Sequence, residues 1–308
     1  MAPVRAPFET VFFLAAGFGT RLRPLTDRVP KALVPVGNVP QLFRLAARYP
    51  EARLVVNAHH LADDLEAAVR AWEAETGLRL HVSREAGVLG TAGGIRAARS
   101  TFAPGPVMVH NADIEVPAAT TLGLALEDGA LSTLLVSADA PPNAGNVGLD
   151  ADRRVVRLRD VRTGAVETAS CNYLGVALLA PALVEALPEV GCLVGDGWIP
   201  ALLAGGIMHV SSADSSRVAG AGFFDLGTPR SYLDANLAWL HHEGLRIRAE
   251  PGARLHAGCT EVVAGSGAVL EAPCERVVAW PGGRSDRPLR DAIVTADAIL
   301  ELEAQSGR

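Results

Sequence analysis

The sequence predicts an α/β protein: a mostly parallel mixed sheet flanked by helices, followed by a short β-helix-like appendage. Over the first 245 residues, short apolar runs alternate with amphipathic segments of helical period, the order expected when crossover helices connect parallel strands. From residue 246 onward the helical pattern stops, and short β-type runs recur with glycine turns at a period of 15 residues. We therefore predict one domain over residues 1–245 and a smaller region over residues 246–308.

Composition and charge narrow the class of protein. The 308 residues are 49% hydrophobic and 20% charged, which is typical of a globular protein with a sizeable core. The formal net charge of −6 argues against non-specific binding to nucleic acid or to anionic membranes. No apolar run approaches the ~20 residues that span a bilayer. Arg21 and Arg23 directly follow the first apolar run, which we therefore interpret as a strand and not as a secretory signal.

The apolar periodicity assigns the remaining elements of the first domain. Runs of β type predict strands at residues 11–15, 53–56, 78–82, 106–110, 131–138 and 172–179. Helical spacing predicts helices at residues 39–48, 61–72, 118–126 and 199–204, and residues 144–162 have the polar, turn-rich character of a hairpin. A short strand ending at Asp225 precedes a helix with Thr228 as its N-cap and Pro229 in its first position.

The cysteines indicate the redox state of the protein. Cys171, Cys192, Cys259 and Cys274 show no Cys-x-x-Cys spacing, so a zinc site is disfavoured and reduced thiols in a cytoplasmic protein are predicted. The 15-residue repeat aligns Cys259 with Cys274. Stacked coils would bring these two close enough for a disulfide, but two small buried thiols are the favoured interpretation.

The stretch from residue 11 to residue 35, VFFLAAGFGTRLRPLTDRVPKALVP, has the composition of an anion-binding loop. It opens with the first predicted strand and continues with two glycines that allow close approach to a ligand, Gly17 and Gly19. Two cations follow, Arg21 and Lys31, in a segment that three prolines keep out of a helix. Amide donors and spaced cations beside a strand end form a plausible cradle for a polyphosphate, although an ordinary strand–helix turn would also fit the glycines alone.

Three further segments carry polar groups at predicted element ends. Asp113 follows a buried strand, at the end where open α/β sheets bind ligands. Its carboxylate could bind Mg²⁺, or the residue could belong to an ordinary turn. Residues 89–96, LGTAGGIR, form a glycine-rich turn into a helix whose amides could contact a base or a phosphate, or serve the turn alone. His59 and His60 are adjacent and cannot face one metal centre, so a role at the helix entry is predicted.

The string LAAGFGTRLRPLT followed by PKALVPV closely resembles the N-terminal signature of the sugar-1-phosphate nucleotidyltransferases. Three later strings also resemble motifs of this family: LGTAGG, the strand-end Asp113, and FDLGTP at 224–229, with Phe223 in the place of the usual tryptophan. The resemblance implies a Rossmann-like domain of the nucleotide-diphospho-sugar transferase type. It also implies a reaction in which a nucleoside triphosphate and a sugar 1-phosphate give an NDP-sugar and pyrophosphate with Mg²⁺ as cofactor.

The resemblance assigns expected roles to individual residues. Arg21 and Lys31 would be catalytic, and Asp113 and Asp225 would bind the metal. The expected nucleotide-binding residues are Leu14, Ala15, Gly17, Gly19, Thr20, Gly90 and Thr91. The expected sugar-binding residues are Gly145, Asp160 and Gly175.

One departure from the family pattern affects the predicted sugar site. Val161 stands where the family usually has the lysine that meets the sugar phosphate. Arg159 or Arg162 could take its place, but strand alternation would put both on the opposite face unless the strand bulges. The sequence therefore leaves open which group holds the sugar phosphate.

The short β-helix-like tail resembles that of mannose-1-phosphate guanylyltransferases, so GTP and mannose 1-phosphate are the favoured substrates. A uridylyltransferase acting on N-acetylmuramate 1-phosphate or another sugar, and a non-catalytic regulatory protein that binds nucleotide sugars, are the alternatives. The tail would serve as a cap or could join copies of the chain into a homo-oligomer. No nucleic-acid or membrane partner is expected.

Overall fold

The computed structural model describes residues 8–213 and 224–303. Phe223, and with it the start of the predicted strand at Asp225, lies outside these ranges. The chain divides into two compact units, one formed by Met1–Gly17 and Leu45–Phe223 and the other by Phe18–Arg44 and Phe224–Arg308.

The predicted helices are all present, and one further helix, Pro181–Ala186, was not predicted. Helices α1 to α7 are Gln41–Ala46, Ala62–Thr76, Gly90–Ala98, Ala118–Leu122, Pro181–Ala186, Ile199–Leu203 and Pro229–His242. Short 3₁₀ turns cover Thr20–Leu22, Leu25–Asp27, Lys31–Leu33 and Arg99–Thr101, and a π-helical turn covers Leu193–Trp198. Across the described ranges, no helix is both long enough and apolar enough to cross a bilayer.

The strands are numbered along the chain. Strands β1 to β12 are Thr10–Leu14, Pro35–Val36, Val39–Pro40, Arg53–Ala58, Leu80–Arg84, Val107–Asn111, Ile114–Glu115, Ser132–Val136, Val147–Leu149, Val155–Leu158, Val161–Arg162 and Ala169–Cys171. Strands β13 to β23 are Tyr173–Leu179, Met208–Ser212, Phe224–Asp225, Ile247–Ala249, Arg254–Leu255, Thr260–Ala264, Val269–Leu270, Cys274–Ala279, Arg284–Ser285, Leu289–Val294 and Ile299–Glu301.

The first unit is built on a seven-stranded sheet in the order β14-β8-β13-β6-β1-β4-β5. Strand β13 runs antiparallel to β6 and β8, and the other neighbours are parallel, which confirms the predicted mostly parallel mixed sheet. Strand β1 lies inside the sheet, between β6 and β4. Four of its five residues are fully buried, as this central place requires. A smaller sheet of order β11-β10-β9-β12 contains the predicted hairpin.

The helix predicted over residues 39–48 is shorter than expected. Its first two residues instead form β3, which pairs with β2 so that Pro35 lies opposite Pro40. Pro40 lacks the amide hydrogen that a helix interior requires, and α1 begins directly after it. The helix predicted over residues 118–126 likewise ends at Leu122, with Gly123 as its C-cap.

The second unit contains the predicted coils. Strands β16, β18, β20 and β22 stack in parallel, with Ile247 beside Val262, Val262 beside Val277 and Val277 beside Ala292. The offset between partners is 15 residues at every step, which confirms the predicted period. Strand β23 closes the last coil antiparallel to β22.

Helix α7 shares a core with these coils. Tyr232 and Leu240 on the helix are fully buried in one cluster with Val263, Val278 and Ile293, which occupy the same position in successive coils. The sequence boundary between residues 245 and 246 marks where the coils begin, whereas the compact unit also includes this helix.

Charged side chains reinforce this packing. Glu261, Arg276 and Asp291 recur at the same position of three coils and have positive φ angles of 53°, 57° and 48°. The paired groups are Arg230 with Asp291, Asp234 with Arg276, and His241 with Glu261. The left-handed backbone interrupts strand alternation there, so the coil side chains meet the helix.

The two aligned cysteines are free thiols, as predicted. Cys259 and Cys274 are both buried, and each sulfur donates to the carbonyl oxygen of Ala272, at 3.7 Å and 3.4 Å respectively. Burial raises the pKa of the Cys274 thiol to about 11, so it is protonated at neutral pH.

Candidate active site

In the first unit, a buried polar network holds the start of the anion-binding loop. The amides of Ala15 and Ala16 donate to Asn57 Oδ1 at 2.6 Å and 3.2 Å. Asn57 Nδ2 donates to Glu85 Oε1 at 2.7 Å, and Glu85 Oε2 accepts the amide of Leu89 at 3.2 Å. Asn57 and Glu85 are 2% and 5% exposed, so this network links the loop after β1 to the turn before α3 through the protein interior.

Sequence reasoning missed this link. The only signal was the position of Asn57 near the end of a predicted strand, and nothing in the sequence singled out Glu85. The pairing joins residues far apart in the chain, which periodicity cannot detect.

The glycine-rich turn of α3 is covered by another segment of the same unit. Gly90 has a φ of 74°, and a Cβ there would overlap the carbonyl oxygen of Gly191. That carbonyl accepts the Ala92 amide at 2.9 Å, and Thr91 Oγ1 accepts the Leu193 amide at 2.7 Å. Packing alone therefore explains the glycine, and the nucleotide-binding roles of Gly90 and Thr91 stay predictions.

Asp113, the predicted ligand-binding carboxylate, lies just past the carboxyl end of β6. Asp113 follows this strand directly, and the neighbouring amide of Ala112 donates to the carbonyl of Leu14 at the end of β1 at 3.1 Å. The side chain of Asn111 borders Gly175, where an added Cβ would lie 2.9 Å from its amide nitrogen. Leu14, Asp113 and Gly175 thus lie at one edge of the sheet, as expected when strand ends converge.

His59 and His60 lie directly before Leu61 and α2, at the helix entry. His59 Nδ1 lies 3.1 Å from the carbonyl oxygen of Glu85, and Leu61, with a φ of 54°, leads into α2. Among residues 8–213 and 224–303, no group of three or more His, Cys, Asp or Glu side chains could by itself hold a metal ion.

In the second unit, the anion-binding loop folds back on itself. Gly19 has a φ of 61°, and its carbonyl accepts a hydrogen bond from Thr26 Oγ1 at 2.8 Å. A Cβ at Gly19 would lie 2.9 Å from the Thr26 methyl carbon and 3.2 Å from the Lys31 Cβ. The turn therefore brings Lys31 beside Gly19, and the short 3₁₀ turns confirm that the prolines keep this segment out of an α-helix.

Arg21 and Asp225, also in the second unit, meet at Gly227. An added Cβ at Gly227 would lie 2.7 Å from Asp225 Oδ1 and 2.9 Å from Arg21 Nη2, so a larger residue there would displace one of these two groups. Among the described residues, Asp225 Oδ1 is buried and has no hydrogen-bond partner. A buried carboxylate oxygen without a donor is costly, and a divalent cation would satisfy it, so the donor chemistry of Asp225 fits Mg²⁺.

Helix α7 begins at Pro229, shortly after this carboxylate in the chain, and its first turn is capped. Thr228 accepts the Ser231 amide at 3.2 Å, and the Ser231 hydroxyl accepts the Thr228 amide at 3.1 Å, a complete capping box. Pro229 occupies the first helical position. The N-cap at Thr228 and the place of Pro229 were both predicted from the sequence.

The hairpin of the first unit is held by a buried ion pair that the sequence did not reveal. Arg157 donates from Nε to Glu167 Oε2 at 2.7 Å and from Nη2 to Glu167 Oε1 at 2.9 Å. The same guanidinium donates to the carbonyls of Gly145 and Arg159, at 2.9 Å and 2.8 Å. The hydrogen bonds that Glu167 accepts, above all those from Arg157, lower its pKa to about 2.

The predicted sugar-binding residues lie on this hairpin and beside it. Asp160 is exposed in the turn before β11, and Val161 begins that strand half-buried. A Cβ at Gly145 would overlap the backbone of Cys171, so strand packing alone requires this glycine. Their contacts with a sugar stay predictions.

A search of curated proteins gives a relative in Caulobacter vibrioides, an N-acetylmuramate alpha-1-phosphate uridylyltransferase. It is 34% identical over 233 residues, which cover 68% of this chain and 94% of the relative. The chain belongs to the sugar-1-phosphate nucleotidyltransferase family. The family profile described as nucleotidyl transferase matches residues 11–160, which include the anion-binding loop, the turn of α3 and Asp113.

Proteins with other names are also similar to this chain. The probable mannose-1-phosphate guanylyltransferase 1 of Oryza sativa subsp. japonica is 28% identical over 254 residues, covering 80% of this chain and 67% of the relative. Among solved structures, HddC from Yersinia pseudotuberculosis complexed with GMP-PN superposes with a TM-score of 0.59 at 20% identity, covering 75% of this chain and 99% of that one. The inositol-1-phosphate CTP transferase of T. maritima gives a TM-score of 0.59 at 17% identity, covering 78% and 99%. These structural likenesses confirm the fold of the sugar-nucleotidyltransferase domain.

Proposed function

We propose that this protein transfers a nucleoside monophosphate from a nucleoside triphosphate to a sugar 1-phosphate and releases pyrophosphate, with GTP and mannose 1-phosphate as its substrates. Membership of the sugar-1-phosphate nucleotidyltransferase family supports the reaction class. The observation that carries the catalytic proposal is the meeting of Arg21 with the buried, unpartnered carboxylate oxygen of Asp225 at Gly227. The guanylyltransferase relative matches a larger share of this chain, 80%, than the uridylyltransferase relative does, 68%, which supports the choice of substrates.

The proposed chemistry needs positioned charge more than a general base. The phosphate oxygen of a sugar 1-phosphate is already anionic near neutral pH and attacks the α-phosphorus in line, while pyrophosphate leaves on the opposite side. Arg21 would neutralise the departing phosphates, and Lys31 would hold the α-phosphate or the sugar phosphate. Asp113 and Asp225 would hold Mg²⁺, which supplies charge neutralisation on the triphosphate.

The second candidate reaction is uridylyl transfer to N-acetylmuramate 1-phosphate. The higher identity to the uridylyltransferase relative, 34% against 28%, favours it. A third candidate is a regulatory protein that binds nucleotide sugars without turnover, and the departure at Val161 is the observation that favours it. The intact set of Arg21, Lys31, Asp113 and Asp225 weighs against this third candidate, since a sensor has little need to keep both proposed metal ligands.

A matrix of pyrophosphate-release assays tests all three candidates. Each of the nucleoside triphosphates GTP, UTP, ATP and CTP is combined, in the presence of Mg²⁺, with mannose, glucose and N-acetylmuramate 1-phosphates. We expect the highest kcat/KM with GTP and mannose 1-phosphate. Preference for UTP with N-acetylmuramate 1-phosphate would support the second candidate. Saturable nucleotide-sugar binding, with no pyrophosphate from any pair, would reject the proposed enzyme activity.

A further inference from the structure

The structure separates the arginines of the hairpin by what they bind. Arg157 is buried against Glu167, and Arg162 donates to the same carboxylate at 2.8 Å and to the side chain of Asn143. Both guanidinium groups are therefore committed to holding the hairpin together. Arg159 is different, because it is exposed and forms no ion pair with any carboxylate among the described residues.

The backbone of Arg159 is fixed on both sides. Its amide donates to the carbonyl of Asn146 at 2.8 Å, and its own carbonyl accepts a hydrogen bond from Arg157 Nη1 at 2.8 Å. The residue has a φ of 54°, so it leaves the alternation of the strand, and its side chain need not lie on the face that a regular strand would impose. A flexible side chain on a rigid backbone position is well suited to meet a ligand.

The guanidinium of Arg159 lies at the segment that covers the first turn of α3. Its Nη2 is 3.6 Å from the sulfur of Cys192, and an added Cβ at Gly195 would lie 3.6 Å from its Nη1. Cys192 directly follows Gly191, whose carbonyl accepts an amide of that first turn. Arg159 therefore joins the hairpin to the turn that carries Thr91, within one unit of the protein.

This corner favours negative charge. Burial raises the pKa of the Cys192 thiol, but hydrogen bonds from the amides of Gly195 and Val194, and contacts with Thr91 and Arg159, lower it below its ordinary value overall. The groups that stabilise a thiolate are donors and a cation, which are also the groups that bind a phosphate.

We propose that Arg159 binds the phosphate group of the sugar 1-phosphate and so supplies the positive charge that Val161 cannot supply. The inference rests on the proposed function, because a sugar 1-phosphate is a substrate of that reaction. A guanidinium offers planar paired donors that match phosphate oxygens, and the donors of Arg159, unlike those of Arg157 and Arg162, are not occupied by Glu167.

Kinetics of matched variants test the assignment. Arg159→Ala should raise KM for the sugar 1-phosphate by about 10- to 100-fold, the effect of losing a charge-assisted hydrogen bond, and leave KM for the nucleoside triphosphate within about twofold. Arg154→Ala, an exposed arginine of the same hairpin, should leave both constants unchanged. Adding Val161→Lys to Arg159→Ala should restore part of the lost affinity. A rise in KM for the triphosphate alone, or no change in either KM, would overturn the proposal.

Alkylation of Cys192 gives a readout that does not depend on turnover. The other cysteines, Cys171, Cys259 and Cys274, are at most 4% exposed, so iodoacetamide should react first at Cys192. Mannose 1-phosphate and N-acetylmuramate 1-phosphate are tested separately as probes. We expect at least one to slow alkylation in the wild-type protein and to have no effect in Arg159→Ala, since a bound phosphate would occupy the guanidinium and repel the thiolate.

The two readouts separate failure of the inference from failure of the proposed function. Absence of pyrophosphate release from the wild-type protein, together with protection that requires Arg159, would reject the catalytic function and support the binding role of this residue. Normal turnover together with protection that is equal in the wild-type protein and in Arg159→Ala would reject the inference and leave the proposed function intact.

Discussion

The buried ion pair of the hairpin makes a sharp prediction about stability. Arg157 and Glu167 have side chains only 6% exposed, and their contact is bidentate. Glu167→Gln keeps the shape of the side chain but removes its charge, so the buried guanidinium loses its counter-ion. We expect a large fall in the free energy of unfolding and a higher KM for the sugar 1-phosphate, because Arg157 also holds the carbonyl of Arg159.

The magnitude follows from the titration of the carboxylate. Hydrogen bonds from Arg157 are the largest cause that lowers the pKa of Glu167 from 4.5 to about 2. Each pKa unit corresponds to ~1.4 kcal/mol, so the native contacts of Glu167 contribute about 3 kcal/mol at neutral pH. Breaking a buried pair by removing one partner costs about 3–5 kcal/mol in other proteins, which agrees with this value.

The same pKa sets the pH dependence. Because the pKa of Glu167 is lower in the folded than in the unfolded chain, the contribution is complete above about pH 4.5 and is lost as the pH falls toward about 2. The variant has no carboxylate to titrate at this position. The difference in stability between the wild-type protein and Glu167→Gln should therefore shrink over that range.

Urea unfolding followed by far-UV circular dichroism, at pH 7 and again at pH 3, measures both effects. Glu301→Gln is the matched control, because Glu301 and its partner Arg287 are each 52% exposed and exposed pairs stabilise little. Two results would refute the reasoning: a loss in Glu167→Gln no larger than in the control, or a loss that is the same at both pH values.

Three further predictions concern the anion-binding loop and the turn of α3. Lys31→Ala should lower turnover by ~100-fold or more without changing the urea midpoint, as for other positioned cations, and unchanged turnover would remove Lys31 from the site. Asn57→Ala removes the acceptor of two loop amides. We expect urea unfolding to show about 1–3 kcal/mol of destabilisation, and the KM for the triphosphate to rise. An unchanged KM would mean that other contacts hold the loop. Gly90→Ala should destabilise the protein more than Gly77→Ala. The two φ angles are nearly equal, 74° and 75°, but only Gly90 faces a neighbouring carbonyl oxygen. Equal losses of stability in thermal unfolding would show that backbone strain alone decides the effect.

The predicted features share a physical basis in local order along the chain. Apolar runs located β1, β4 and β6, because a strand buried on both faces requires consecutive apolar residues wherever it lies in the sheet. The cap at Thr228 followed from the preferences of one helix end. The repeat of the coils was visible because each coil places the same residue types at the same positions.

The buried polar pairs were not predicted, because local sequence patterns do not show which side chains become partners. Nothing near Asn57 indicated that Glu85 would join it, and nothing near Arg157 indicated Glu167. Such pairs depend on which elements become neighbours in space, and that is a property of the whole fold.

For the site, the sequence alone determined the residue types: cations at Arg21 and Lys31, strand-end carboxylates at Asp113 and Asp225, and a valine where the family usually has a lysine. Only the tertiary structure distinguished Arg159 from Arg162. The distinction depends on a left-handed backbone at residue 159 and on a buried carboxylate that occupies Arg162, and both are consequences of packing that local sequence preferences do not contain.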